Sequence, residues 1–144
     1  MVVSRPFYNR YVKLPPKDQT PSEIQNNPKL YPFFKDCWGA IDGTHIDVFV
    51  PKDAVARYHN HKGGLSQNVF AACTFNLQFS YVLPGWEGSA ADGCVFDNAH
   101  WKSLAISPSI YLLADAGFPT CNALMILYKR EQYHLKEWRT APQK

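Results

Sequence analysis

The apolar run Ile-Tyr-Leu-Leu-Ala at residues 110–114 constrains the fold of this 144-residue chain more than any other stretch. Pro108 precedes the run, and Gly117 and Pro119 follow it, so its length is that of a short strand. Because the run does not alternate with polar residues, it is typical of a strand buried on both faces, as in the parallel part of a sheet. The sequence therefore predicts an α/β fold in which a crossover leads into this strand.

The stretch at residues 89–105 has the pattern expected of a crossover helix. Its apolar residues fall near helical spacing, at Val95, Phe96, Ala99 and Leu104. Ser89 or Asp92 can cap the helix N-terminus, and the Ser107-Pro108 pair ends the helix. We therefore predict a helix between two strands of one sheet.

Several strand-like segments precede this helix. CWGAID at residues 37–42 and IDVFVP at 46–51 are two short apolar runs. SQNVFAACTFN at residues 66–76 and FSYVLPGWEG at 79–88 predict an antiparallel pair, joined by a short turn near Leu77. The predicted order is three antiparallel strands, a crossover helix and a further parallel strand. This is a mixed α/β sheet, and the ribonuclease H-like architecture begins in this way.

The proline-punctuated residues 1–36 predict a lead-in segment that packs on the domain at residues 37–144. Thr20 precedes a proline and stands three residues before Glu23, which is the pattern of a capped helix start. Pro28 then ends a helix of about two turns. The lead-in is therefore expected to contain one short helix and not to form a domain of its own.

Charge and cysteine spacing exclude some classes of protein. The formal net charge of +3 is compatible with nucleic-acid binding, but no block of Lys and Arg is present. The four cysteines form no CxxC pair, which argues against a zinc knuckle and predicts reduced thiols. The N-terminus lacks a secretory signal, and the apolar runs are too short to span a bilayer. We expect a nuclear or cytoplasmic protein with no membrane partner.

Three of the twelve acidic residues stand where a surface carboxylate is not expected. Asp42 ends the run CWGAID, Asp92 begins the predicted helix, and Asp115 ends the run YLLAD. Asp42 and the Gly-Thr that follows it are equally compatible with an Asx turn between two strands. Asp92 is also explained as a helix N-cap, and Asp115 as part of a turn in DAGFP. The residues alone leave these structural roles open beside a functional one.

The functional interpretation is a metal site built from oxygen ligands. Strand ends and a helix start at one sheet edge would bring Asp42, Asp92 and Asp115 together. Carboxylates that share a site repel one another unless a cation lies between them, and Mg²⁺ or Mn²⁺ suits such ligands. Two such ions can activate a water and stabilise the leaving oxygen in phosphodiester cleavage. Thr44 and His45 are candidates for orienting this site.

Four stretches, in order along the chain, carry a resemblance to a known family. They are GAIDGTHI, KGGLSQNVFAACTFNLQFSYVLPGWEGSAADGCVF, YLLADAGFP and YHLKEW, within about residues 32–138. They resemble the PIF/Harbinger transposases and the Harbinger transposase-derived nucleases, whose catalytic module is a DDE superfamily endonuclease of type 4. The resemblance implies a ribonuclease H-like fold, a divalent-metal site, DNA as the substrate and a separate DNA-binding protein as a possible partner.

The resemblance also implies roles for the three aspartates. The first catalytic aspartate of the family, in its G-A-x-D-G-T-H motif, matches Asp42. The second, in apolar-D-x-G-[YF]-P, matches Asp115, and the metal-ligating aspartate of the G-S-x-x-D turn matches Asp92. The family has His, Ser and Arg around that last aspartate, whereas this chain has Ala91, Gly93 and Cys94 there. This chain therefore lacks the hydrogen-bonding groups that the family has beside the metal site.

The resemblance further implies a third catalytic carboxylate, a Glu in an R-x-x-[IV]-E-R-x-F-G motif that this sequence does not contain. We therefore expect a catalytic core that is incomplete at the C-terminus. The first functional hypothesis is a divalent-metal-dependent DNA endonuclease core derived from a transposase. The alternative is a catalytically inactive remnant that acts as a metal-binding or protein/DNA interaction module. A third is a fragment that does not fold alone.

Overall fold

A computed structural model describes residues 5–16, 19–60 and 63–127 of the chain. These residues form four helices and five strands. In chain order they are α1 (Arg5–Tyr11), α2 (Ser22–Gln25), β1 (Cys37–Asp47), α3 (Val55–Tyr58), β2 (Ser66–Cys73), β3 (Phe79–Glu87), α4 (Asp92–Lys102), β4 (Tyr111–Ala114) and β5 (Leu124–Ile126). The predicted mixed α/β class is confirmed.

All five strands belong to one sheet, in the order β3-β2-β1-β4-β5. β1 pairs antiparallel with β2, and β2 pairs antiparallel with β3. After α4 the chain returns to the other side of β1, where β4 runs parallel to it and β5 runs parallel to β4. This arrangement is consistent with a ribonuclease H-like fold, and it places β1 and β4 side by side at the centre of the sheet.

The first strand is longer than the sequence predicts. CWGAID and IDVFVP were expected to form two strands, but β1 is one strand of 11 residues that continues through Asp42. Its antiparallel ladder with β2 is uninterrupted from the Ala40–Cys73 pair to the Asp47–Ser66 pair. The prediction of a break was wrong because this ladder satisfies the backbone hydrogen bonds that a turn would have used. Asp42 therefore lies within a strand and not at its end.

The core lies between the sheet and α4, and Phe70 of β2 is at its centre. The Phe70 ring is 1% exposed, and its centroid lies 6.1 Å from that of Phe118 and 6.3 Å from that of Phe96 on α4. The Tyr81 ring of β3 approaches Phe70 edge-on, with centroids 6.1 Å apart. Because rings in such tilted and edge-on pairs attract one another, the cluster fixes how α4 sits on the sheet.

α4 begins later and is capped differently than predicted. The expected helix at residues 89–105 is instead Asp92–Lys102, with Ala91 at the N-cap position and no side-chain hydrogen bond there. Ser89 is used elsewhere, because its hydroxyl donates to the Arg57 carbonyl oxygen at 3.1 Å. The N-cap explanation of Asp92 is therefore wrong, because Asp92 is the first helical residue and Ala91 occupies the N-cap position.

β4 is buried on one face and partly open on the other, so the prediction of burial on both faces was wrong. Leu112 lies in the core on the α4 side, whereas Leu113 points to the opposite face and is only half-buried. We call this opposite face of the sheet the open face. It carries a groove of about 800 Å³ in which Leu113 adjoins Met125 of β5. Met125 is 45% exposed, so the described residues do not fully cover this face.

The lead-in contains two described helices, although only one was predicted. The Tyr8 hydroxyl of α1 donates to the Val82 carbonyl oxygen and accepts from the Val82 N–H, both at 3.2 Å, which ties α1 to β3. α2 is only four residues long and begins at Ser22, with Pro21 at its N-cap position and no side-chain cap from Thr20. The predicted capping box is therefore wrong, but the helix buries Ile24 completely.

The described helices are short. α4, at 11 residues, is the longest of them. In the ranges that the structure describes, no helix is long and apolar enough to cross a membrane, which takes about 20 apolar residues. Residues 128–144, which include the YHLKEW motif, lie outside the described residues.

Replacing Phe70 by Ala is expected to lower the free energy of unfolding by about 3–5 kcal/mol, because it opens a cavity among three aromatic rings. Phe79→Ala is the matched control on β3, since Phe79 is 58% exposed and should cost less than about 1 kcal/mol. Equilibrium urea unfolding followed by circular dichroism measures both values. Equal losses for the two variants would contradict the described core.

The thiols should differ in their rates of alkylation. All four cysteines are free, but Cys37 is fully buried, whereas Cys94 and Cys121 are exposed. Burial raises the pKa of the Cys37 thiol, so the thiol stays protonated at neutral pH and is a poor nucleophile. We expect iodoacetamide to label Cys94 and Cys121 in the native protein, and Cys37 only after unfolding. Mass spectrometry of the labelled peptides checks this, and fast native labelling of Cys37 would contradict it.

Candidate functional site

Two of the three predicted aspartates lie close to the β1–β4 pairing. Ala40 of β1 lies opposite Leu113 of β4 in a parallel register, so Asp42 and Asp115 follow two residues later on each chain segment. Because side chains alternate along a strand, Asp42 is on the side of the sheet that Ala40 faces. This is the open face, and both aspartates line its groove. The structure thus brings Asp42 and Asp115 to one surface.

Each of these carboxylates is anchored by a backbone group close in sequence. The Gly43 N–H donates to Asp42 Oδ1 at 2.8 Å, and the Gly117 N–H donates to Asp115 Oδ1 at 2.8 Å. The second bond is the turn expected for DAGFP, whereas the Asx turn between two strands proposed for Asp42 is excluded by the continuous β1. Both side chains remain exposed, so each has carboxylate oxygen available at the groove.

Asp92 approaches from the other side of the sheet. It is the first residue of α4, and its Oδ1 accepts a long hydrogen bond of 3.5 Å from the Asn68 side-chain amide. The same oxygen lies 2.7 Å from the position that a Cβ would occupy on Gly43. Since Gly43 and Asp42 are consecutive in β1, their side-chain positions face opposite sides of the sheet. Asp92 is therefore on the α4 side and Asp42 on the open face.

Gly117 lies beside both Asp115 and Asp92. A Cβ on Gly117 would stand 3.0 Å from Asp115 Oδ1 and 3.6 Å from Asp92 Oδ2. The two carboxylates therefore flank the same glycine, just beyond the end of β4. Because residue 117 is glycine, no Cβ crowds these two oxygens.

The electrostatics of the three carboxylates favour a cation. Within residues 5–16, 19–60 and 63–127, none of the three forms an ion pair with Lys, Arg or His, and the ion pair found there joins Arg57 to Glu87 at 3.8 Å. Carboxylates that lie near one another without a basic partner attract a counter-ion. Carboxylate oxygens are the ligands that Mg²⁺ and Mn²⁺ prefer, so the donor chemistry fits such an ion.

The three aspartates nevertheless do not form a closed metal cage. No three His, Cys, Asp or Glu side chains of the described residues come close enough together to hold a metal ion. Asp42 and Asp115 share one surface, and Asp115 and Asp92 share Gly117. Each predicted site residue is thus paired with another, but the sheet separates Asp42 from Asp92.

Sequence reasoning missed two buried polar residues of β2. Ser66 is fully buried, and its hydroxyl accepts from the Asn60 amide and contacts His45 Nδ1, each at 2.9 Å. This contact fixes the ring of His45, one of the predicted orienting residues. Asn68 is buried beside Asp92. The available signal was the position of Ser and Asn in SQNVFAAC, where the alternation places both on the same face as the core residue Phe70.

Comparison with known proteins identifies the family. A family model described as DDE superfamily endonuclease matches residues 41–142, which is most of the chain. The matched region begins one residue before Asp42 and contains all three aspartates. The chain belongs to the DDE superfamily endonuclease family. Searches of curated proteins and of solved structures found no match. Membership indicates a transposase-derived nuclease, and DNA is the substrate that a nuclease of this family implies.

Alanine substitutions at Gly43, beside the site, and at Gly88, in the scaffold, should differ in their cost to stability. A Cβ on Gly43 would stand 2.7 Å from Asp92 Oδ1 and 3.2 Å from Asn68 Oδ1, which are both side-chain atoms. Gly43→Ala is therefore expected to displace these side chains and to change the free energy of unfolding by less than about 1 kcal/mol. A Cβ on Gly88 would stand 2.4 Å from the Ser66 carbonyl oxygen and 2.6 Å from that of Tyr58, which are backbone atoms. Gly88→Ala should therefore cost about 1–3 kcal/mol. Thermal unfolding of both variants measures this, and a larger loss for Gly43→Ala than for Gly88→Ala would contradict the described site.

Proposed function

We propose that this chain is the catalytic core of a divalent-metal-dependent DNA endonuclease of the PIF/Harbinger transposase-derived type. Asp42 and Asp115 are the proposed catalytic residues, and Asp42, Asp92 and Asp115 are the proposed ligands of Mg²⁺ or Mn²⁺. The observation that carries the proposal is that Asp42 and Asp115 line one groove on the open face, each two residues after the paired Ala40 and Leu113. Family membership supports the choice of DNA as the substrate.

The protein's contribution to this reaction is the placement of charge. Strand β1 carries Asp42, and Asp115 directly follows the end of β4, which pairs in parallel with β1. The Gly43 and Gly117 N–H groups fix one oxygen of each carboxylate. Sites built on strands vary less in geometry than sites built on loops. When bound, a divalent cation would neutralise phosphate charge and activate a water for attack on the phosphodiester.

The same carboxylates explain why the proposal includes a cation. A DNA phosphate that approaches the groove meets Asp42 and Asp115, and the described residues give neither of them an ion-pair partner. Two unit charges of the same sign repel by about 1 kcal/mol at 4 Å in water, and by more where water is excluded. Binding of the phosphate therefore depends on positive charge held by these residues. The net charge of +3 for the whole chain favours nucleic-acid approach only weakly.

The alternative function is a catalytically inactive module that keeps the fold and binds a metal, a protein or DNA without cutting. The groove on the open face favours this alternative, because its lining combines Leu113, Met125 and Leu127 with only two charged residues. Leu127 is 50% exposed and Met125 is 45% exposed, which is typical of a surface that binds a partner. Nicking activity distinguishes the two functions.

Asp42→Asn and Asp115→Asn are expected to lower Mg²⁺- or Mn²⁺-dependent nicking of supercoiled DNA by about a hundredfold or more, because each removes charge from the proposed metal site. Asp47→Asn is the matched control, since Asp47 is an exposed aspartate on the same strand. A gel assay that separates supercoiled from nicked plasmid measures the rates.

Unchanged nicking in both Asp42→Asn and Asp115→Asn would overturn the catalytic assignment. Nicking lost equally in Asp47→Asn would show a general charge effect and not a site. A wild-type chain that binds Mn²⁺ in calorimetry but does not nick DNA at any metal concentration would support the inactive module instead.

A further inference from the structure

Asn68 is a buried amide for which the fold gives no structural reason. It lies in the middle of β2, is 1% exposed, and has the apolar neighbours Val69 and Phe70. Among the described residues, no donor lies within hydrogen-bonding distance of its Oδ1. Its Nδ2 donates to Asp92 Oδ1, but at 3.5 Å this bond is long. A buried acceptor without a partner is destabilising, so an apolar side chain would suit this position better if stability alone decided it.

The unpartnered oxygen and the Asp92 carboxylate lie beside the same glycine. The position of a Cβ on Gly43 lies 3.2 Å from Asn68 Oδ1 and 2.7 Å from Asp92 Oδ1, so both oxygens border the same point beside β1. The other oxygen of Asp92 is directed to Gly117, where Asp115 lies on the far side. Asn68 therefore adds a neutral oxygen to a place where two carboxylates already converge.

A neutral amide oxygen can serve as a cation ligand beside two carboxylates. Carbonyl oxygens bind Mg²⁺, Mn²⁺ and Ca²⁺ as carboxylates do, but they add no negative charge. A third carboxylate here would repel Asp92 and Asp115, whereas an amide oxygen raises the number of ligands without that repulsion. The glycine at position 43 leaves room for the approach, because any Cβ there would contact both oxygens.

We propose that Asn68 Oδ1 and the Asp92 carboxylate are ligands of one divalent cation on the α4 side of the sheet. This inference rests on the proposed function, because it adds a ligand beside Asp92, which is one of the three proposed metal ligands. It gives Asn68 a role in binding that Asp42 does not share, since Asp42 lies on the open face. The amide also orients the carboxylate through Nδ2, and its position within β2 keeps that orientation fixed.

Calorimetric titration of the full chain with MnCl₂ tests the inference. Asn68→Leu, which keeps the approximate shape and removes both polar atoms, is expected to weaken Mn²⁺ binding about tenfold or more. Its melting temperature without metal should be equal to or above that of the wild type, because the unpartnered amide is gone. Ser80→Ala, at another buried polar residue on β3, is the matched control and should leave Mn²⁺ affinity unchanged.

A double-mutant cycle makes the test specific. If Asn68 and Asp92 hold the same cation, Asn68→Leu combined with Asp92→Asn should weaken Mn²⁺ binding little more than Asp92→Asn alone. Additive losses would overturn the shared site. An unchanged Mn²⁺ affinity in Asn68→Leu, or a wild-type chain that binds no Mn²⁺, would overturn the inference as well.

Asn68→Asp provides a second test if Asn68→Leu does not fold. The added carboxylate should lower the melting temperature without metal and make Mn²⁺ raise it more than in the wild type, because the cation then relieves a larger repulsion. A melting temperature that does not respond to Mn²⁺ would overturn the inference. DNA nicking is measured separately: nicking that requires Asp42 and Asp115 but tolerates Asn68→Leu with unchanged Mn²⁺ affinity would reject this inference and leave the proposed function intact.

Discussion

The parallel pairing of β1 with β4 is the constraint on which the rest of the structure depends. It is the junction between the antiparallel half of the sheet and the parallel half, and α4 is the connection that makes it possible. The core around Phe70 holds α4 against the sheet and so fixes where the chain returns as β4. The relation between Asp42 and Asp115 follows from this pairing and not from any contact between the two side chains.

Around that junction, small residues and polar residues have complementary roles. Gly43 and Gly117 remove side-chain volume at the points where the carboxylates converge, and their N–H groups anchor the oxygens of Asp42 and Asp115. Asn68 retains a polar atom where the core would accept an apolar one. The region therefore departs from the best local packing at the place where the family's chemistry is expected.

Much of the fold could be predicted from the sequence, because periodicity and apolar runs report local structure. The class, the β2–β3 hairpin and the strand at residues 111–114 follow from such patterns. Strand continuity through Asp42 could not be predicted, since the Gly-Thr that follows it has the same local pattern as a turn, and only pairing with β2 decides between the two. The extent of α4 depended likewise on a distant group, the Arg57 carbonyl oxygen that accepts from Ser89. The sequence pattern identified Asp42, Asp92 and Asp115 as candidate site residues. The side of the sheet that each one faces could be determined only from the pairing of the strands.

The alternation of side chains along β1 and β4 has an evolutionary consequence. Strand geometry has a period of two, so inserting or deleting a single residue inside β1 or β4 would turn Asp42 or Asp115 to the wrong side, whereas a change of two would shift the residue but keep its side. Changes in the turn at residues 103–109 or near α3 alter no such parity. Among relatives of this chain, insertions and deletions of an even number of residues should therefore be tolerated better within these strands than those of an odd number. Insertions and deletions of either kind should be tolerated in the loops between strands.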